Sequence, residues 1–323
     1  MLGAADIGAT HWIVFVVAIL IFLTLDLGVF HRKAHVVGVR EALLWTAIWF
    51  VIAMAFGLLI APAALDDWHR PQTLEFITGY IIELSLSMDN VFVIALIFLY
   101  FRLPQQQQHR VLFWGILGAL VMRGIMIWAG VELIQRVKWI FYLLGVFLVY
   151  TGIKMLFVRQ EGVQPEKNLA IRAARKFFPV STEFAGQHFV TTIDGRRTLT
   201  PLALVLLMVE TTDLIFALDS IPAIFAVTID PFIVFTSNVF AILGLRSLYF
   251  VLAGAIDYFR FLKPGLAVVL VFIGAKMLLA KTSYHISTPI SLMIVGGIIL
   301  LSIVASAIAA RHGGLHRQEK KSE

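Results

Sequence analysis

The sequence contains no cysteine. Disulfides, thiolate metal ligands, thiol redox cycling and S-palmitoylation are excluded together. Charge is scarce as well: Asp, Glu, Lys and Arg make up 14% of the 323 residues, against about 25% in soluble domains. The nine histidines (11, 31, 35, 69, 109, 188, 285, 312 and 316) all fall in loops, tails or the ends of apolar runs, so imidazole is missing mid-run. No P-loop, dinucleotide fingerprint or HExxH is present, which removes the signatures of ATP hydrolysis, nicotinamide binding and zinc proteolysis. An enzyme is not expected, nor is a cofactor.

Apolar residues fill the space these absences leave. They make up 60% of the chain, and the mean hydropathy is +0.90. Runs of about twenty apolar residues, each able to cross the hydrocarbon layer, recur from Ile13 to Ala309. The fold class expected is all-α: a polytopic membrane protein with nine spans near 11–30, 41–62, 73–101, 110–133, 138–157, 199–227, 231–254, 264–280 and 288–310. An extracytoplasmic N-terminus puts 18 Lys and Arg on the cytoplasmic side and 4 on the other. That bias fits the positive-inside rule with N-out/C-in topology. The pI near 9.6 is then a matter of topology, and no nucleic acid partner is expected. The first span has no basic residue ahead of it and no small-residue cleavage site behind it, so it reads as retained in a multi-pass plasma (inner) membrane protein.

The chain repeats itself. Glu83-Leu-Ser-Leu-Ser-Met-Asp89-Asn90 aligns with Asp213-Leu-Ile-Phe-Ala-Leu-Asp219-Ser220, Arg123 with Arg246, and Gly152-Ile-Lys154-Met-Leu with Gly274-Ala-Lys276-Met-Leu. Each unit holds three spans, an odd number, so the copies must be inverted, as in secondary transporters with a midplane site. The expected organisation is a leading two-helix unit (1–72), repeat one (73–157), a basic cytoplasmic loop (158–198), repeat two (199–283), and a final helix with a cytoplasmic tail (284–323). The loop is either a solvated linker or carries a basic amphipathic helix, Asn168 to Phe178, at the inner membrane surface. The run Gln105 to Gln108 reads as a polar turn.

An acid at the membrane centre costs at least ~2.5 kcal/mol on insertion scales. Six fall inside apolar runs: Asp26, Glu83, Asp89, Glu210, Asp213 and Asp219. Arg123 and Arg246 offset two of them. A purely structural reading has the carboxylates neutralise these arginines and join helices, but it leaves four negative charges for cations or protons to balance. Glu83 and Asn90, and likewise Asp213 and Ser220, are seven residues apart and share a helix face. Pro222 removes the donor to the carbonyl of Leu218 and is expected to break the sixth span beside Asp219 and Ser220. Lys154 and Lys276 are expected to snorkel to the interface. The available ligands are carboxylate, amide, hydroxyl and carbonyl oxygens, which suit Mg²⁺, Ca²⁺ and Mn²⁺ over Cu⁺ or Zn²⁺.

The same residues carry a resemblance. Asp26-Leu-Gly-Val-Phe-His-Arg-Lys-Ala-His35, Glu83 through Phe92, Glu210-Thr-Thr-Asp213 through Phe225, and Ala241-Ile-Leu-Gly-Leu-Arg246 resemble the TerC family of integral membrane proteins, and within it the Alx-type members. The resemblance implies intramembrane acids at Asp26, Glu83, Asp89, Glu210, Asp213 and Asp219. It also implies an association with tellurite resistance, manganese(II) efflux, and a redox-modulator label. The expectation is a proton-coupled or potential-driven exporter of manganese(II), with calcium as second candidate. Asp26, Glu83, Asp89, Asn90, Glu210, Asp213, Asp219 and Ser220 would hold the ion, with Arg123 and Arg246 balancing charge. Its partners would be the divalent metal ion, protons and membrane lipid; the sequence does not specify an oligomer. The rivals are a membrane scaffold of a stress-resistance system and a redox component, which would need a partner to supply the redox group.

Overall fold

The computed structural model describes residues 7–25, 38–157, 164–193, 195–253, 261–280, 282 and 286–322, with backbone alone at 25, 39, 253 and 310–322. Asp26 and the following His31-Arg32-Lys33 lie outside the described residues.

Helix dominates because a backbone in hydrocarbon must satisfy its own hydrogen bonds. The chain forms α1 (Ala9–Leu25), then α2 (Val39–Ala55), which widens into a π-turn over Phe56–Ile60 and continues as α3 (Ala61–Ala64). α4 (Arg70–Tyr100), α5 (Gln105–Arg136) and α6 (Ile140–Phe157) follow. A linker segment holds α7 (Leu169–Phe177) and the strands β1 (Val190–Ile193) and β2 (Arg196–Leu199). The chain then completes α8 (Pro201–Phe225), α9 (Pro231–Ala253), α10 (Leu262–Leu279) and α11 (Thr288–Ser322). Among the described residues, eight helices are long and apolar enough to cross a membrane, α2 with α3 counting as one, and Ala9–Thr24 is a shorter apolar helix. The protein is an all-α, polytopic membrane protein.

Two expectations about elements are corrected, and a third segment holds more than expected. The glutamine run is not a turn but the first turn of α5, for which glutamine is a good helix former; Gln108 reaches the Leu103 carbonyl and accepts from the Tyr249 hydroxyl at 3.1 Å. The turn lies one step earlier, where Arg102 takes a left-handed φ of 49° and Leu103 N–H closes back on Phe98 O at 2.9 Å. Pro222 does not break the sixth span: α8 is continuous through it. A proline three residues from a helix end costs one hydrogen bond, too little to stop a helix packed on its neighbours. The 158–198 segment also carries an antiparallel hairpin, β1 with β2, turned by Gly195 at φ +75°.

α9 is the central helix, its most apolar eighteen residues wholly buried among α2, α4 and α5. α4 packs on α9 and α8, α5 on α8 and α9, and α6 on α10. Small residues let these backbones close up, as is common where lipid gives no hydrophobic drive to association. A Cβ added at Gly274 would lie 2.7 Å from Gly145 O, and one at Gly152 the same distance from Ala267 O. α7 runs back along α8. Its N-cap Asn168 donates to Thr211 Oγ1 at 2.7 Å, while Phe178, beyond its other end, reaches the cavity lined by Pro201 and Leu204.

Candidate functional site: a buried charge cluster between α4, α5, α8 and α9

Glu83, Ser87 and Asn90 follow one another at i, i+4 and i+7 and so project from one face of α4. That face meets Arg123 of α5, Asp213 of α8 and Asn238 of α9. Glu83 is fully buried, and Arg123 and Asp213 expose only 2% and 4% of their surface. Arg123 joins them all. Its Nη2 and Nε donate to Asp213 Oδ1 and Oδ2 at 2.9 and 3.2 Å, and its Nη1 donates to Glu83 Oε1 and, at 2.7 Å, to Asn238 Oδ1. The two-pronged bond to Asp213 uses the planar fork that lysine lacks.

The rest of the shell consists of uncharged oxygen and nitrogen. Asn238 Nδ2 donates to Glu83 Oε2 and Ser87 Oγ to Glu83 Oε1, both at 3.2 Å, while Asn90 Nδ2 donates to Asp213 Oδ1 at 2.6 Å. Asn90 Oδ1 is buried with no hydrogen-bond partner, and outside the cluster, about two turns further along α8, so is Ser220 Oγ. Two carboxylates face one guanidinium, which leaves a formal charge of −1 in a site cut off from water. Such a charge calls for a cation or a proton.

Residues 68–313 match the TerC family of integral membrane proteins. The chain belongs to that family. It is 51% identical over 304 residues, 93% of each chain, to an uncharacterized membrane protein of Myxococcus xanthus. It is also 44% identical to two proteins named "Putative membrane-bound redox modulator Alx": over 315 residues and 96% of each chain in Salmonella typhi, and over 301 residues, 92% of this chain and 94% of the other, in Escherichia coli K12. No solved structure matches the chain.

In this TerC protein the structure gathers four of the residues singled out in the sequence, Glu83, Asn90, Arg123 and Asp213, at one point. Others stand nearby. The Glu210 carboxylate, one turn along α8 from Asp213, lies over Gly118 of α5, in space that any larger residue there would claim. Asp219, further along α8, faces Thr151 and Lys154 of α6. Asp89 is half-buried on α4, next to Asn90 but turned off its face by the 100° step of a helix.

Two expectations fail here. Arg246 does not join the cluster; its Nη2 meets His109 Nδ1 at 3.0 Å, about two turns along α9 from Asn238. Glu83 is met by Arg123 itself and by Asn238, whose polar triplet Thr236-Ser237-Asn238 in an apolar run was the available signal. Nor does Lys276 snorkel freely: it is half-buried beside Glu75 of α4. Glu75 itself, in the second turn of α4, lies beside Thr228, Asp230 and Lys276.

Proposed function

We propose that this TerC protein is a secondary transporter that exports a hard divalent cation, manganese(II) first and calcium second, through the plasma (inner) membrane, driven by protons or the membrane potential, with no catalytic activity and no resident cofactor. The observation that carries this reading is the buried oxygen set of Glu83, Asp213, Asn90, Asn238 and Ser87, with its residual negative charge and an amide oxygen that bonds to nothing. Oxygen-only ligation suits Mn²⁺ and Ca²⁺ and is weak for Cu⁺ and Zn²⁺.

Arg123 is central to the proposed cycle. Its guanidinium fills the space between the two carboxylates, and among the described residues no three acidic or histidine side chains meet. An incoming M²⁺ must therefore displace Arg123, and its departure lets the arginine return. The divalent ion balances both carboxylates in the loaded site, and Arg123 together with one proton would balance them in the empty one. Glu210, Asp213 and Asp219 form a ladder along α8, with Glu210 and Asp219 serving as stations on either side of the central pair.

Packing supports the inverted 3+3 repeat, with α4–α6 equivalent to α8–α10. Exchanging the units turns the α4–α9 contact into α8–α5, and both contacts exist. Gly145 and Ala267 each precede the repeated lysine by nine residues, and Gly152 and Gly274 each by two. The contact of Gly145 with Gly274 thus exchanges with that of Ala267 with Gly152. Two such units rocking about the cluster would give alternating access, in N-out/C-in orientation.

The name carried by the relatives favours a second reading, a redox-modulating or scaffold role without transport. A chain with no cysteine would need a partner to supply the redox group. The purified protein alone in liposomes under an imposed pH gradient separates the readings. Metal-resolved flux should show Mn²⁺ moving fastest, Ca²⁺ next and Zn²⁺ poorly. No divalent flux at all would favour the scaffold.

A further inference from the structure

A cavity of about 600 Å³ opens at the foot of α4, α7 and α8, well away from the charge cluster. Tyr100, the last residue of α4, and Pro201, the first of α8, both line it, so it lies where two spans end, at the depth of lipid headgroups. Its wall divides by chemistry. Phe101, Phe178 and Leu204 are its apolar lining and Arg175, Ser181 and Thr182 its polar lining, and among the described residues that line it there is one cation and no carboxylate.

α7 explains how the cation comes to be there. Asn168 caps the helix through Oδ1, accepting from Ala170 N at 2.9 Å, and ties it to Thr211 through Nδ2. Thr211 is ten residues into α8, about 15 Å along its axis. Ile171 and Ala174 are buried against the bundle, and Ile171 shares a core with Val205 and Met208 of α8. From that anchor α7 descends toward the span end, bringing Arg175 and Lys176 of its last turn to the level of Pro201. The face it leaves uncovered mixes Leu169, Phe177 and Phe178, all more than half exposed, with Arg172, Arg175 and Lys176. Acyl chains satisfy the first group and lipid phosphates the second.

We propose that this cavity binds the headgroup of an anionic phospholipid from the adjacent leaflet. Arg175 would take the phosphate, the Thr182 hydroxyl would hydrogen-bond the headgroup, and the acyl chains would run along Phe178 and the exposed side of α7. Basic pockets at the ends of membrane helices recognise anionic lipid in this way. A lipid held here would brace α7 against α8, the helix that carries Glu210, Asp213 and Asp219.

The test uses the full-length protein in detergent. Phosphatidylglycerol, phosphatidylcholine or inorganic phosphate is titrated in, and the midpoint of thermal unfolding is followed. Phosphatidylglycerol should raise the midpoint saturably, while the other two leave it unchanged. Arg175→Gln, which removes the cation, should weaken the apparent affinity about fivefold. Thr182→Trp, which fills the mouth of the cavity from an exposed position, should abolish the response. Arg136→Gln, in the last turn of α5 and far from the cavity, should keep it. Equal stabilisation by phosphatidylcholine or by free phosphate, or an undiminished response in both cavity variants, would overturn the proposal.

Discussion

An arginine with 2% of its surface exposed must be matched by charge, and Arg123 is matched twice over. Removing one member of a buried ion pair typically costs about 3–5 kcal/mol, because the partner is left charged in a dry place. Arg123→Met should therefore lower the thermal midpoint markedly. Since the vacated space lies between two carboxylates, Mn²⁺ should stabilise this variant by about 2.7 kcal/mol at a hundredfold excess over its Kd, and the parent by less at the same concentration. Thermal unfolding with and without Mn²⁺ checks both statements; a destabilised variant that ignores the metal would place the ion elsewhere. Asp213→Asn keeps the shape of the site but removes a charge, and it should reduce flux at least about tenfold while the protein remains in the membrane. Asp89→Asn is expected to do the same, and cellular manganese content reports on both. The acids were legible in the sequence because a charge in an apolar run is costly enough to need a reason. Asn238 was missed because an amide carries no such penalty on its face. Arg246 stands apart from the Arg123 cluster because spacing along a chain does not give height across a bundle.

Between elements, the close approach of α6 and α10 decides most. Their glycines touch partner backbone, which unlike a side chain cannot swing aside. Gly152→Val and Gly274→Val should each destabilise by about 1–3 kcal/mol through overpacking. Gly296→Ala and Gly297→Ala, where an added methyl meets nothing within 4 Å, should be neutral. Thermal midpoints of the four purified variants give the comparison; equal effects in both pairs would contradict the packing described. Helix existence was readable from apolar length alone, whereas the hairpin in the linker was not. Four-residue strands such as Arg196–Leu199 carry no periodicity a reader could weigh; they form by pairing with each other, from Val190 opposite Leu199 to Ile193 opposite Arg196. The continuity of α8 through Pro222 likewise depends on neighbours, which sequence does not display.

For the whole molecule, orientation and symmetry stand or fall together. A tag inserted in the 158–198 segment should be protected in intact cells, and one at Asp66, between α3 and α4, should be labelled from outside. Labelling of both from the same side would refute an N-out arrangement and the inversion of the two three-helix units. The central claim is narrower: Glu83 and Asp213 hold a hard divalent ion in competition with Arg123. Electron paramagnetic resonance of Mn²⁺ added to the purified protein measures this directly, because bound and free ion differ in their spectra. Wild type should bind Mn²⁺ with oxygen ligands and no coupling to histidine nitrogen, Asp213→Asn should lose that signal, and Arg123→Met should bind more tightly. Bound Mn²⁺ that persists unchanged in Asp213→Asn, or that shows histidine nitrogen among its ligands, would contradict the site.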